Sequence, residues 1–137
     1  MGKYNGKYKI SDHAYWELYH FCLRYWEFKR KIDEITQSGG GSGSIAYAET
    51  NGRYSDPTAN KALKRASLAR NCELIEQTAL ETDGGIYKML IDNVTTGATY
   101  EQIRAIMEAY DIQVPCGRQK FYNLRKKFFY LLNQKKI

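Results

Sequence analysis

The sequence is short of the residues from which most sites and frameworks are built. Its three cysteines, Cys22, Cys72 and Cys116, are an odd and widely spaced set with no CxxC pair. Neither a disulfide framework nor a zinc site is expected from them. Both histidines, His13 and His20, lie far in sequence from Cys116, and no Ser/His/Asp or Cys/His grouping stands in a context for nucleophilic catalysis. Gly39-Gly40-Gly41-Ser42-Gly43 lacks the following Lys-Ser/Thr and the preceding strand of a phosphate-cradling loop. The sequence therefore predicts no enzyme, no cofactor and no metal. No apolar run approaches the roughly 18 residues of a membrane span. Met1-Gly2-Lys3-Tyr4-Asn5-Gly6 has no apolar signal-peptide stretch, and Gly6 stands where a myristoylation signal has Ser or Thr. A cytoplasmic chain in a reducing compartment, with no membrane partner, is expected. The last absence is of acid, since residues 112–137 contain neither Asp nor Glu.

That acid-free segment contains Arg118, Lys120, Arg125, Lys126, Lys127, Lys135 and Lys136, which carry +7. The whole chain of 137 residues nets +6, so the other 111 residues net −1. The basic character belongs to the C-terminal end, and it points to a polyanionic partner met there. Aromatics are plentiful, and twelve of the nineteen are Tyr; these supply both apolar area and hydroxyls. The length suits one domain with a loosely attached arm.

Along the chain, residues 1–9 read as a mobile basic arm. Ser11-Asp12 offers an N-cap for one long helix to about Thr36, with Tyr15, Leu18, Cys22, Tyr25, Ile32 and Ile35 at helical spacing, broken only by Lys29. Trp16, Tyr19, Phe21, Trp26 and Phe28 widen its stripe beyond one face. Residues 1–36 thus form the arm and the aromatic helix, and 37–55 form a flexible Gly/Ser-rich loop. Region 56–137 is helical. Asp56-Pro57 opens a helix to about Thr82, with Leu63, Ala66, Leu68, Cys72, Ile75 and Ala79 available for burial. Asp83-Gly84-Gly85 ends it, and a short helix covers about 86–93. Thr99-Tyr100-Glu101-Gln102 has the form of a capping box. A turn containing Ile112 and Val114, apolar types suited to burial, leads to a last helix from Arg118 to about Leu132. No segment alternates like a strand. The fold class is a small all-α domain with a long N-terminal helix and a C-terminal helix-turn-helix.

That helix-turn-helix, at about 99–133, carries the functional expectation. In its last helix Phe121, Leu124, Phe128 and Leu131 make an inward seam. Gln119, Tyr122, Asn123 and Lys126, at i, i+3, i+4 and i+7, share the opposite face. Asn and Gln pair two-pronged with adenine, Lys with guanine, and Tyr reaches phosphate or a thymine methyl. Arg118, Lys120, Arg125 and Lys127 flank that face and suit phosphates. The partner expected is double-stranded DNA, read by Gln119, Tyr122, Asn123 and Lys126. A solvated basic face is the plainer alternative.

Two stretches resemble a known family. Ser55-Asp56-Pro57-Thr58-Ala59 ahead of a Lys-rich helix, and Pro115-Cys116-Gly117-Arg118-Gln119-Lys120-Phe121-Tyr122-Asn123-Leu124-Arg125-Lys126-Lys127-Phe128-Phe129, are similar to the RinA/ArpU-type phage transcriptional regulators of Gram-positive bacteria. The C-terminus resembles sigma-factor region 4, and the resemblance covers roughly residues 55–132. It implies control of late or packaging genes at promoter DNA, with RNA polymerase as a further partner. The aromatic first helix and the Gly/Ser loop depart from that pattern.

Weaker signals remain. His13, Glu17 and His20 place two imidazoles and a carboxylate on one helical face, a metal half-site with Asp12 nearby, although ordinary polar surface is the plainer expectation. Arg118 and a helix N-terminus beside Cys116 favour a thiolate, whereas a partly buried turn residue is the plainer role. The stripe Tyr15, Trp16, Tyr19, Tyr25, Trp26 suits base stacking, a core, or the seam of a homodimer through the first helix. Two alternatives to a promoter regulator stand: a phage packaging or recombination accessory factor, and an adaptor that docks a protein on the first helix.

Overall fold

The computed structural model describes residues 6–38 and 56–137. Among them the chain is all-α, with no strand. The helices are α1 (Asp12–Leu23), α2 (Tyr25–Ser38), α3 (Pro57–Thr82), α4 (Tyr87–Thr96), α5 (Tyr100–Ala109) and α6 (Arg118–Lys136). None of these is long and apolar enough to cross a membrane. Most of the expected Gly/Ser loop, 39–55, lies outside the described residues, while Gln37 and Ser38 continue α2. The chain divides into two compact units, Met1–Arg24 with Leu74–Ile137, and Tyr25–Glu73.

Local chemistry sets most helix ends. Ser11 Oγ accepts from the Ala14 amide at 3.1 Å and opens α1. Asp56 Oδ1 accepts from the Thr58 amide at 2.9 Å and opens α3 behind Pro57. Asp83 Oδ1 accepts from the Gly85 amide at 2.8 Å just past the end of α3. α4 runs three residues beyond the expected Asn93, to Thr96, and stops on Gly97, whose φ of +80° is left-handed. Both halves of the Thr99–Gln102 capping box form, at 3.1 and 2.9 Å. α5 ends without glycine, because Asp111 takes the left-handed conformation at φ 59°. The Ile112 amide then reaches Met107 O and the Asp111 amide reaches Glu108 O, the paired bonds of a Schellman motif.

The single long first helix is not what forms. Arg24 makes a tight bond back to Phe21 O at 3.1 Å, α1 stops, and α2 begins at Tyr25. In α2 the buried residues are Tyr25 and Phe28. In the unit of Tyr25–Glu73, Arg65 Nε donates to Thr36 Oγ1 at 2.8 Å, and Arg30 and Lys31 each lie 3.8 Å from Glu34. Leu63, expected to be available for burial, is 69% exposed, and Ala66 is exposed as well. Burial along α3 starts at Cys72 and continues through Ile75, Thr78, Ala79 and Thr82.

The other unit holds a core built from every helix it contains. Leu18 and Cys22 of α1, Ile75 and Ala79 of α3, Leu90 and Val94 of α4, Ile103 of α5, and Phe121, Phe128 and Leu132 of α6 are all buried. α1 packs on α4 and α6, and α5 packs on both α4 and α6. The buried hydroxyls of Thr78, Thr82 and Thr95 donate to carbonyls four residues back, so they enter the core without an unmet bond.

Candidate nucleic-acid interface

The orientation of α6 decides what its polar residues face. The expected seam of Phe121, Leu124, Phe128 and Leu131 is only half right. Phe121 and Phe128 are buried, but Phe129 and Leu132 join them, and Leu124 and Leu131 are half-buried. At about 100° per residue this turns the helix about its axis. Tyr122 and Lys126 then flank the core beside Phe129 instead of standing opposite it.

On that flank lies a cavity of about 370 Å³, walled by α6 and by Tyr8, Ile10 and Tyr15 from the start of the chain. Residues 6–10 are therefore not wholly a mobile arm. Ile10 is buried, and the Tyr8 ring packs 5.4 Å from that of Tyr130. Residues 1–5 of the expected arm lie outside the described residues. Tyr15, Tyr122 and Arg125 also line a second cavity of about 250 Å³, with Trp16, Tyr19 and Thr99.

The expected site residues divide accordingly. Arg118, Gln119, Tyr122, Asn123, Arg125 and Lys126 all line the larger cavity, and no Asp or Glu does. Lys120 and Lys127 do not line it. Gln119 and Asn123 are exposed, and Lys126 is half-buried. The exposed Arg118 pairs with Glu101 at 2.7 Å and lies over the Tyr122 ring at 5.0 Å. Two expected ligand contacts are already engaged by the fold. The Tyr122 hydroxyl accepts from the Tyr100 amide at 3.2 Å, while the Tyr100 hydroxyl donates to Cys116 O at 2.6 Å. Arg125 donates through Nε to Asn93 Oδ1 at 2.7 Å and through Nη1 to the Tyr15 hydroxyl at 3.0 Å, with its guanidinium 4.9 Å from the Phe129 ring centre. Lys127 donates to Thr82 O at 3.2 Å, where it meets the carbonyl end of α3. Of the basic tail, Lys135 pairs with Glu81 at 2.9 Å and Lys136 lies 4.1 Å over the Phe21 ring.

Other expectations change too. Ile112 in the connection is 53% exposed and Val114 is only half-buried. Burial pushes the Cys116 thiol up, against the pull of Lys120, so a thiolate is disfavoured there. Among the described residues no group of three or more His, Cys, Asp or Glu side chains is placed to hold a metal. His13, Glu17 and His20 are all exposed. Sequence reasoning missed Tyr8, Ile10 and Tyr15 as wall residues. A signal was present: Ile10 precedes the Ser11 cap and Tyr15 is the fourth helical residue, the spacing of a hydrophobic staple.

No family model, curated protein or solved structure matches the chain.

Proposed function

We propose that the chain binds double-stranded DNA sequence-specifically through the first half of α6, as a phage or prophage transcriptional regulator at a promoter. In this reading α5, the connection 110–117 and α6 act as a helix-turn-helix. The connection is longer than the usual three to four residues, and the Schellman bonds and the Tyr100–Cys116 bond hold it closed. The observation that carries the reading is the acid-free side of α6, on which Gln119 and Asn123 are exposed and Lys126 stands beside them. Gln119, Asn123 and Lys126 read base edges, and Arg118 and Lys120 hold phosphates. Lys7 and Lys9, exposed on either side of Tyr8, add two cations from the start of the chain. Tyr122 and Arg125 position this surface. The resemblance to the RinA/ArpU-type regulators supports the same role, with RNA polymerase as a partner in the cytoplasm and no catalysis. A homodimer through the first helix would place operator half-sites about one helical turn apart.

The test is selection of duplexes from a randomised pool by the purified chain, beside the Gln119→Ala/Asn123→Ala/Lys126→Ala variant. One enriched motif, lost in a variant that still folds, supports the reading. Lys120→Ala should weaken binding to all sequences and reduce the salt slope by about one. No enrichment, with weak binding erased by modest salt, refutes it. Recruitment of RNA polymerase in a purified transcription assay separates a regulator from a packaging or recombination accessory factor. One observation favours the adaptor reading, which is that Trp16 and Trp26 are each 54% exposed. Absence of duplex binding at physiological ionic strength would favour it further.

A further inference from the structure

The cavity beside α6 has a chemistry that duplex reading leaves unused. Its volume, about 370 Å³, falls in the range of small-ligand sites, about 300–1,000 Å³. Charge and surface decide what fits it.

Arg125 supplies the first argument. It is half-buried, its hydrogen bonds go to neutral acceptors, and no carboxylate pairs with it among the described residues. An anion entering the cavity would therefore meet a guanidinium whose charge no carboxylate there neutralises. A guanidinium has five N–H donors, of which these bonds to Asn93 and Tyr15 occupy two. Lys126 lines the same space, as does Arg118, which is already paired with Glu101, and no Asp or Glu lines it. A metal or a cationic ligand is therefore disfavoured.

Surface supplies the second. The rings of Tyr8, Tyr15, Tyr122 and Phe129 contribute to the wall, and Gln119 and Asn123 stand among them. Each of these two amides carries a donor and an acceptor side by side, the pattern that pairs with a base edge. Aromatic rings beside cations are also how sequence-tolerant single-strand binders hold bases.

We infer that this cavity receives one unpaired nucleotide, its phosphate toward Arg125 and Lys126 and its base against the Tyr8 and Tyr15 rings. A base inside a duplex is stacked on its neighbours and cannot enter. The ligand is therefore either a free nucleoside monophosphate or the unpaired end of a strand. The site shares Gln119, Asn123 and Lys126 with the proposed duplex surface, so the two ligands compete for one face of α6. The inference does not depend on the promoter reading.

The experiment is calorimetric titration of the full chain, with tyrosine and tryptophan fluorescence as a second readout. The titrants are the four nucleoside monophosphates, inorganic phosphate, adenosine, a 5′-phosphorylated trinucleotide and a blunt duplex. A nucleoside monophosphate or the trinucleotide should bind one per chain, about tenfold or more tighter than inorganic phosphate or adenosine. Tyr8→Ala and Lys126→Ala should each weaken that binding about fivefold or more while both variants still fold, with melting temperature unchanged for Lys126→Ala. Comparison of free nucleotide with trinucleotide identifies the source. Nucleotide binding no tighter than that of inorganic phosphate overturns the inference, as does binding that both variants leave untouched. Binding of the blunt duplex alone also overturns it, while the duplex reading stands. Nucleotide binding without any selected duplex motif supports the inference and removes the duplex reading instead.

Discussion

Replacing Arg125 with Met tests whether this residue, which lines the cavity beside α6, also holds the fold together. By residue type and position it looks like a phosphate contact, and loss of such a contact would leave stability unchanged. The structure gives it a second job. Its Nε donates at 2.7 Å to Oδ1 of Asn93, a buried side chain whose own amide donates to Ala98 O at 2.8 Å. Met fills similar volume but removes the donor, so a buried acceptor is left unmet at a cost of about 1–3 kcal/mol. Loss of the guanidinium from the faces of Phe129 and Tyr15 adds about 0.5–1 kcal/mol. The expected destabilisation is about 1.5–4 kcal/mol in urea titration, with a melting temperature lower by roughly 10 °C. Lys126→Met, one residue along and without a hydrogen bond or ion pair among the described residues, should change stability by less than about 0.5 kcal/mol. A double-mutant cycle with Asn93→Ala should return a coupling of about 1 kcal/mol or more. An Arg125→Met protein as stable as the parent, with its loss confined to ligand binding, would refute the assignment.

Two further outcomes are expected. Gly97→Ala should cost about 1 kcal/mol, because φ at 97 is +80° and an added Cβ would meet only Leu23 Cδ2 at an ordinary 3.8 Å. Gly97→Asn should cost less, and a neutral alanine variant would show that α4 ends without help from glycine. Burial pushes the Cys22 thiol up to about 12, against the opposing pull of Arg125 and Lys136, whereas an unfolded thiol ionises near 9. Between those values the unfolded chain holds fewer protons than the folded one, so stability falls as pH rises, by about 1.4 kcal/mol per pH unit from this group. Urea titrations from pH 8 to 11 should show a steeper alkaline loss for the parent than for Cys22→Ala, and equal slopes would contradict it.

The features legible in the sequence were those whose cause lies within a few residues. The Thr99–Gln102 box, the Asp56-Pro57 opening and the Asp83-Gly84-Gly85 stop each consist of a side chain and an amide two or three positions away. What escaped was long-range. Arg125 meets Tyr15 across 110 positions and Asn93 across 32. Tyr122 meets Tyr100 across 22, and no local pattern signals any of these. The rotation of α6 escaped for a related reason. Phe128 and Phe129 are adjacent and chemically equal, so periodicity alone favours neither Phe129 nor Leu124 as the seam's edge. Asp111 ended α5 in a conformation usually left to glycine, and the break at Arg24 falls within an otherwise regular stripe. Of the candidate site, six of the eight expected residues line one cavity, and that cavity's second wall comes from residues 8–15.

The pair of bonds at Tyr100 has a consequence for how this protein tolerates change. The hydroxyl of Tyr100 donates to Cys116 O, just ahead of α6, and its amide donates to the Tyr122 hydroxyl, one turn inside that helix. The start of α6 and the last part of the connection before it are thus moored to the start of α5. Tyr110 and Ile112 in that stretch are largely exposed. Insertions or swaps between 112 and 115 should therefore be absorbed without moving Gln119 or Asn123. The connection is where a designer could graft a tag or a cross-linking residue, and where lineages could diverge in sequence while keeping the same working surface.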